Sequence, residues 1–445
     1  MVDTLKKSLQ FRHLVFFGLM AMNPMAGMSM FGFSSFRSQG NPMLSYLIAF
    51  IAISFTALSY SKMVKLFPSA GSSYTFAGKG IHPLAGFFAG WVMLLDYVLI
   101  PASCLLQVGL YLNVLVPAIP FWIWVVLVST LVVLANCFGV EVAARFNMIM
   151  LGYLLFSIVA FLAAVIYYIA TQDTLTFFNT QAIFDKSTFG LSPVISGAAL
   201  AIMCYFGFES MTTLSEETQG TSKQFSKAVF LSLGILTIIF LITTYAAKLI
   251  MPDYKSIQNM DTAITEVIVL VGGPTLNMII LVGMICSFIG ISLAAQSSAS
   301  RILYAQGRDG VLPRKFFGYL NPTRKTPTKA IIFMGVVSLI IPLLVPLLLL
   351  TELSSFGGLC GFILVNLALI VYSLRTGVRS KWFIHYIFPA AGLLVTTYIL
   401  LGLGADAKIV GLSWILIGTV VLTLTTRTKI AKTTVSNGLT ETQSP

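Results

Sequence analysis

Charge is the scarcest thing in this chain. Only 9% of its 445 residues are Asp, Glu, Lys or Arg, where a soluble globular protein carries about 25%. With 57% hydrophobic residues and a mean hydropathy of +0.92, the charges cannot cover a water-facing surface, and a soluble fold is excluded. Histidine is nearly absent: His13, His82 and His385 have no metal-ligand spacing. No activated nucleophile with a neighbouring base is visible either, so the usual signs of a membrane enzyme, a metal centre or a cofactor site are missing. The five cysteines, Cys104, Cys137, Cys204, Cys286 and Cys360, form no CxxC pair. They fall within or at the ends of apolar runs and read as packing residues. Rings of repeated polar residues or a filter motif, which a channel would want, are absent too.

What is present is a series of apolar runs of helical length. Outer-membrane strands would show short alternating segments instead. The pattern predicts an all-α polytopic membrane protein with about twelve helices. They fall near 14–36, 43–65, 84–112, 121–139, 146–170, 191–213, 227–250, 275–304, 327–349, 352–374, 383–404 and 409–426. The first run continues without a small-residue cleavage site, so it reads as a span and not as a signal peptide. The net charge of +12 does not point to nucleic acid, because the basic residues lie between spans. Of the 27 Lys and Arg, 22 fall on the side that holds both termini, which the positive-inside rule makes cytoplasmic.

Two spans are interrupted. In the first, Asn23-Pro24-Met25-Ala26-Gly27 places a proline mid-span, which removes a backbone donor and clashes with the preceding turn. In the sixth, Tyr205-Phe206-Gly207-Phe208-Glu209-Ser210 puts a carboxylate beside a glycine at membrane depth. Such a charge costs roughly 2.5–3.5 kcal/mol on insertion scales, which makes it a functional hypothesis by default. Interrupted spans in corresponding positions of two halves point to an inverted-repeat transporter with its site at the breaks. That divides the chain into a cytoplasmic N-terminus (1–13), a first five-helix repeat (14–170), a second (191–374), two appended helices (383–426) and a cytoplasmic tail (427–445), Ser/Thr-rich after Lys432 and expected to be disordered.

Asp96 and Glu209 are the acidic residues placed well inside spans. A cation crossing the bilayer needs compensating anions and aromatic faces in a water-poor cavity, and Tyr97, Tyr205, Phe206 and Phe208 can supply the faces. Glu209 reads as a residue that binds substrate or exchanges a proton, with a structural carboxyl as the alternative. Asp96 is either a site residue or a carboxyl paired at a helix end. The candidate substrate-binding set is Asn23, Met25, Ala26, Gly27, Asp96, Tyr97, Phe206, Phe208 and Glu209, with Glu209 also the proton-coupling candidate.

The other polar features leave alternatives open. The small-residue stretch in 66–83 is a re-entrant segment, a packed loop or a connector. The basic stretch 301–329 is a topological anchor near anionic lipid or part of an inner gate. Glu216 and Glu217 pair with Lys223 or Lys227, or meet substrate. Ser297 and Ser298 are helix-packing hydroxyls or oxygen ligands for Na⁺ with carbonyls of the first helix.

Several stretches together resemble the amino acid–polyamine–organocation superfamily over nearly the whole chain, and within it the bacterial putrescine importers. They are Phe67-Pro68-Ser69-Ala70-Gly71-Ser72-Ser73-Tyr74-Thr75, Leu94-Leu95-Asp96-Tyr97, Gly207-Phe208-Glu209 followed by Thr213-Leu214-Ser215-Glu216-Glu217-Thr218, and Ser300-Arg301-Ile302-Leu303-Tyr304 running on to Arg308-Asp309-Gly310. Phe317-Gly318-Tyr319 and Thr326-Pro327 continue the last match. The resemblance implies a LeuT-like 5+5 inverted repeat with broken helices 1 and 6. It also implies secondary transport of a small cationic or zwitterionic substrate, an amino acid or a polyamine, driven by protons rather than Na⁺ across a bacterial inner membrane. Most amino-acid members have a Gly-Ser/Thr-Gly run at the first break, which receives the substrate carboxylate; here Pro24-Met25-Ala26 stands there, as Pro-Met does in the putrescine importers. The chain departs from those importers at Ser29, where they carry an acid, so one anion for a diamine is missing from that position.

Overall fold

A segment can cross a bilayer only if its backbone N–H and C=O groups are paired within the protein, and this chain meets that demand with helices. The computed structural model describes residues 11–67, 72–138, 143–172, 176–209, 211, 222–308, 313–321, 326–378 and 382–440. In chain order come α1 (Phe11–Ala21), α2 (Ala26–Ser29), α3 (Phe31–Arg37), α4 (Pro42–Leu66), α5 (Ser72–Gly80), α6 (Pro83–Leu115), α7 (Phe121–Phe138) and α8 (Ala143–Ala170). A single turn, α9 (Thr180–Ile183), precedes α10 (Leu191–Ala201) and α11 (Ser222–Ile250). Then follow α12 (Ala263–Arg308), the one-turn α13 (Arg314–Phe317), α14 (Thr328–Leu344), α15 (Leu347–Arg375), α16 (Phe388–Leu401) and α17 (Ala405–Thr440).

Among the described residues, eight helices are long and apolar enough to cross a membrane, and the pair Phe11–Ser29 and Phe31–Arg37, bent by 62°, makes a ninth. Three shorter apolar helices, Phe121–Cys137, Leu191–Tyr205 and Thr328–Leu344, accompany them. The chain is therefore an all-α polytopic membrane protein with a broken first span.

The 33-residue α6 is about 50 Å long at 1.5 Å per residue. Pro83 opens it, and the His82 ring accepts from the Leu84 N–H at 3.3 Å, capping a donor the helix leaves unpaired. It packs chiefly against α12 and α15. One hydrophobic cluster gathers α1, α4, α10, α11 and α15; a second gathers α2, α6, α8 and α12. Polar ties cross between helices inside this core. The Asn136 amide on α7 donates to Gln296 on α12 at 2.7 Å. Asn366 on α15 accepts from Ser59 at 2.6 Å and donates to Thr56 at 3.0 Å, both on α4. Trp91 on α6 and Trp414 on α17 exchange indole hydrogen bonds with each other's carbonyls at 2.8 and 3.0 Å, their rings stacked 4.7 Å apart.

Some boundaries differ from the expected ones. The segment α12 is two helices meeting at Gly273 (φ +64°) and Pro274. The part after Pro274 is the expected eighth span; the part before it is an additional helix, hidden in sequence because its apolar run is too short to read as a span. The α14–α15 corner falls at Val345-Pro346, a few residues before the expected one, since Pro346 cannot continue a helix. The stretch after Pro68–Gly71, residues outside the described set, forms α5, packed on α6 and α15. Helix α17 runs on to Thr440, through a tail whose Ser/Thr content reads as disordered. All five cysteines are free, Cys104 and Cys204 buried, as packing residues should be.

Candidate functional site

The two interrupted spans open in different ways. After α1 ends at Ala21, Asn23 takes a left-handed conformation (φ +52°) and its side-chain oxygen accepts from the Met25 N–H at 3.1 Å. Asparagine tolerates that conformation because its short amide can bond its own backbone. The helix resumes at Ala26, so the opened turn is Met22–Met25. In the other span, α10 tightens into a 3₁₀ turn over Ile202–Tyr205, Phe206 is extended (ψ 143°), and Gly207 has φ +111°. The Glu209 carboxylate folds back and accepts the Gly207 N–H with both oxygens, at 3.1 and 3.0 Å.

Aromatic rings enclose this second break. Phe206 meets Phe362 of α15 edge-on at 5.5 Å, and Phe208 meets Phe362 at 5.4 Å and Tyr60 of α4 at 5.3 Å. The Tyr60 hydroxyl pairs with the Ser73 hydroxyl of α5 at 2.5 Å. Two successive glycines on α15 make the enclosure tight. A β-carbon at Gly358 would lie 2.2 Å from the Phe206 ring, and one at Gly357 would lie 3.5 Å from the Asp96 nitrogen of α6. Asp96 is 2% exposed, Glu209 9%. The Asp96 Oδ1 is buried without a hydrogen-bond partner among the described residues. Asp96, Tyr97 and Tyr60 are all electrostatic neighbours of Glu209.

The structure therefore brings Asp96, Tyr97, Phe206, Phe208 and Glu209 together. The residues of the first break have neighbours of their own. Met25 belongs to the second core cluster, together with Cys104, Leu105 and Val108 of α6. Gly27 lies under the Phe240 ring, and its carbonyl accepts from the Tyr46 hydroxyl at 2.9 Å. Ala26 is half-buried against the first cluster. Asn23 is buried, its side-chain NH₂ unpartnered among the described residues.

Tyr60, Phe362, Gly357 and Gly358 are the residues that sequence reasoning missed. The Gly357-Gly358 pair was visible as a composition signal, but its meaning depends on which helices flank it. Glu352, the first residue of the expected span 352–374, is 4% exposed and pairs with Arg37 at the end of α3. Because α15 begins at Leu347, Glu352 sits inside the helix. Ser298 is exposed and its hydroxyl donates to the Ala294 carbonyl of its own helix at 2.9 Å. Glu216, Glu217, Asp309, Gly310, Arg324 and Lys325 lie outside the described residues.

The chain matches the amino acid permease family over residues 13–428. It is 32% identical over 427 residues to the low-affinity putrescine importer of Escherichia coli (strain K12), covering 95% of this chain and 94% of that protein. It is 26% identical over 411 residues to a branched-chain amino acid permease of Bacillus subtilis (strain 168), covering 86% and 85%. It is 25% identical over 360 residues to the vacuolar cationic amino acid transporter 4 of Arabidopsis thaliana, covering 75% and 58%.

Proposed function

Since the chain belongs to the amino acid permease family, we propose that it imports an amine-bearing small molecule, a polyamine such as putrescine or an amino acid, by alternating access. Membership makes it a membrane transporter of an amine or amino-acid type of substrate and not an enzyme. The observation that carries the substrate reading is Glu209, a buried carboxylate at a helix break lined by Phe206 and Phe208, which pack on Phe362 and Tyr60, with a second buried carboxyl, Asp96, as an electrostatic neighbour. Carboxylates hold ammonium groups, and ring faces shelter both the cation and its methylenes.

A twelve-helix, LeuT-like architecture is supported by the number of apolar helices among the described residues, eight long ones, the bent pair and three shorter ones. Residues 14–170 and 191–374 would be its inverted repeats and 383–426 its appended pair. Both termini lie in the cytoplasm on the distribution of Lys and Arg, and the bacterial relatives support a place in the inner membrane. Glu209 is the group that exchanges a proton as the site alternates, with protons rather than Na⁺ as the coupling ion. Asn23 is the residue of the first break with a free polar group to offer substrate.

A thermal-shift screen of the purified protein against putrescine, spermidine and the common amino acids tests the substrate reading. Stabilisation by putrescine is expected; stabilisation by zwitterions alone overturns it in favour of an amino-acid permease without polyamine activity, the reading that Ser29 favours. Glu209→Gln is expected to abolish uptake driven by a pH gradient, and full retention would end the coupling role.

A further inference from the structure

The segment between α8 and α10, which holds the one-turn α9, is built inside out. Phe177, Phe178, Phe184 and Phe189 are all exposed, by 40% to 71%, and so are Ile183 and Leu191. Its polar groups turn toward the protein instead. The Asn41 amide, at the start of α4, donates to the Asp185 carbonyl and the Thr188 hydroxyl at 3.3 Å each and accepts the Asp185 N–H at 2.9 Å. Single apolar residues on a surface mean little, but a group of this size marks a place that another apolar phase or a partner covers.

The backbone here is paired as a loop in water need not be. The Phe177 carbonyl accepts from the Tyr245 hydroxyl of α11 at 3.0 Å, and that hydroxyl accepts the Asn179 N–H at 3.0 Å. The Asn179 side chain holds the Gln181 N–H, and the carbonyls of Asn179 and Thr180 hold the N–H groups of Ala182 and Phe184. The Asp185 carboxylate holds the Ser187 N–H. Away from bulk water, irregular backbone is tolerated only where its polar groups are satisfied in this way.

The position of Tyr245 identifies the covering phase. Leu231, Ile238 and Ile242 of α11 are exposed, and they share one face of the helix with Tyr245, because seven residues make about two turns. Helix α11 is one of those long and apolar enough to cross a membrane, so acyl chains cover this stripe. Tyr245 stands before the end of α11 at Ile250, by about 7.5 Å along the axis at 1.5 Å per residue. Phe177 to Asn179 therefore lie beside the last turns of the span and not beyond them. The exposed rings of Phe177 and Phe178 continue the lipid-covered stripe.

We infer that the segment 176–191 is immersed in the bilayer, its phenylalanine rings among the lipids of the leaflet at the Ile250 end of α11, and that through Asn41 it anchors the corner between α3 and α4 to the membrane. The rings of Phe184 and Phe189 meet edge to face at 5.1 Å and close the turn that carries Lys186 and Ser187, both exposed. A lysine so placed reaches a headgroup phosphate while the rings stay among the chains. The corner that follows the broken first span is then held by lipid as well as by protein. The inference does not depend on which substrate is carried.

The test replaces Phe178 and, separately, Phe189 by the photoreactive p-benzoylphenylalanine in the full-length protein, held in vesicles of phosphatidylethanolamine and phosphatidylglycerol. Ile238 of the lipid-covered stripe is the positive control, and Gln258, exposed in the loop before α12, is the negative one. After illumination, mass spectrometry is expected to find lipid adducts at the Phe178, Phe189 and Ile238 positions and none at Gln258. Cross-linked pairs of the chain in place of lipid adducts overturn the inference and make this face an interface between copies. Adducts at Ile238 with none at Phe178 and Phe189 place the segment in water and overturn it as well. Hydroxyl-radical labelling of the unsubstituted protein in lipid nanodiscs decides the matter if the variants fail to fold. Phe177, Phe178, Phe184 and Phe189 are expected to escape oxidation while the exposed Met260 is oxidised; oxidation of the phenylalanines refutes the immersion.

Discussion

A β-carbon at Gly207 would lie 2.4 Å from the carbonyl oxygen of Ala21, the last residue of α1. The two interrupted spans therefore touch where each of them stops. Helix α1 stops at Ala21, and the backbone that comes up to the Ala21 carbonyl is the one with no side chain. The breaks form one joint, with Glu209 fixed to it through the Gly207 N–H.

Gly207→Ala should be damaging twice over. Its φ of +111° is foreign to residues with a β-carbon and costs about 1–3 kcal/mol on its own, and the methyl must also displace Ala21. A lower thermal unfolding midpoint and lost uptake are expected. Gly234→Ala on α11, where a β-carbon meets open space, serves as the comparison and should be neutral or slightly stabilising. Equal effects at the two positions would contradict the joint.

Gly358→Ala drives a methyl into the Phe206 ring. Overpacking of this kind costs about 1–3 kcal/mol, which here falls on the site wall more than on the fold. The half-saturation concentration for substrate should rise by roughly ten- to hundredfold on that scale. Gly361→Ala meets the sulfur of Met93, 2.8 Å from the added carbon, and a flexible methionine can give way. Uptake kinetics of the two variants should separate them clearly.

Removing one partner of the Arg37–Glu352 pair leaves the other charge without its match. A fully buried pair loses about 3–5 kcal/mol in that way; Arg37 is 28% exposed, so the loss for Arg37→Ala should be smaller. The exchanged protein, Arg37→Glu with Glu352→Arg, should recover part of the stability lost by either single change. A double-mutant cycle on unfolding midpoints measures the coupling, and a cycle that closes with no coupling refutes it.

Burial raises the carboxyl of Asp261, just before α12, above the ordinary aspartate range. A raised folded-state value means the group supports the fold fully below its unfolded value, near 3.9, and withdraws that support as pH rises through the folded value. Asp261→Asn should remove this part of the pH dependence and leave the protein more stable at neutral pH. Unfolding midpoints between pH 4 and 8 are the measurement.

Sequence reading works where a residue carries its own signal. Pro24 and Gly207 announce the breaks because each changes what its own backbone can do, and Glu209 stands out because a charge is costly at that depth whatever surrounds it. The Asn23 turn is legible for the same reason. Gly357 and Gly358 are different: their function is to admit Asp96 and Phe206, and nothing local says which neighbours those are. Glu352 lies at the rim of an apolar run in the sequence, where nothing local points to Arg37 as its partner. Gly27 sits at the break as expected, yet the Phe240 ring of α11 lies against it, a fact that no local signal carries.

The reciprocal indole bonds between Trp91 and Trp414 have a practical corollary. They rivet α17 to the helix that carries Asp96, about a turn and a half from Trp91, while much of the outer surface of α17, at Leu412, Leu416 and Val420, stays exposed. A probe attached to that outer surface would then act as an external pointer for α6. Its displacement during turnover would show whether the Asp96 wall is the part of the carrier that stays still.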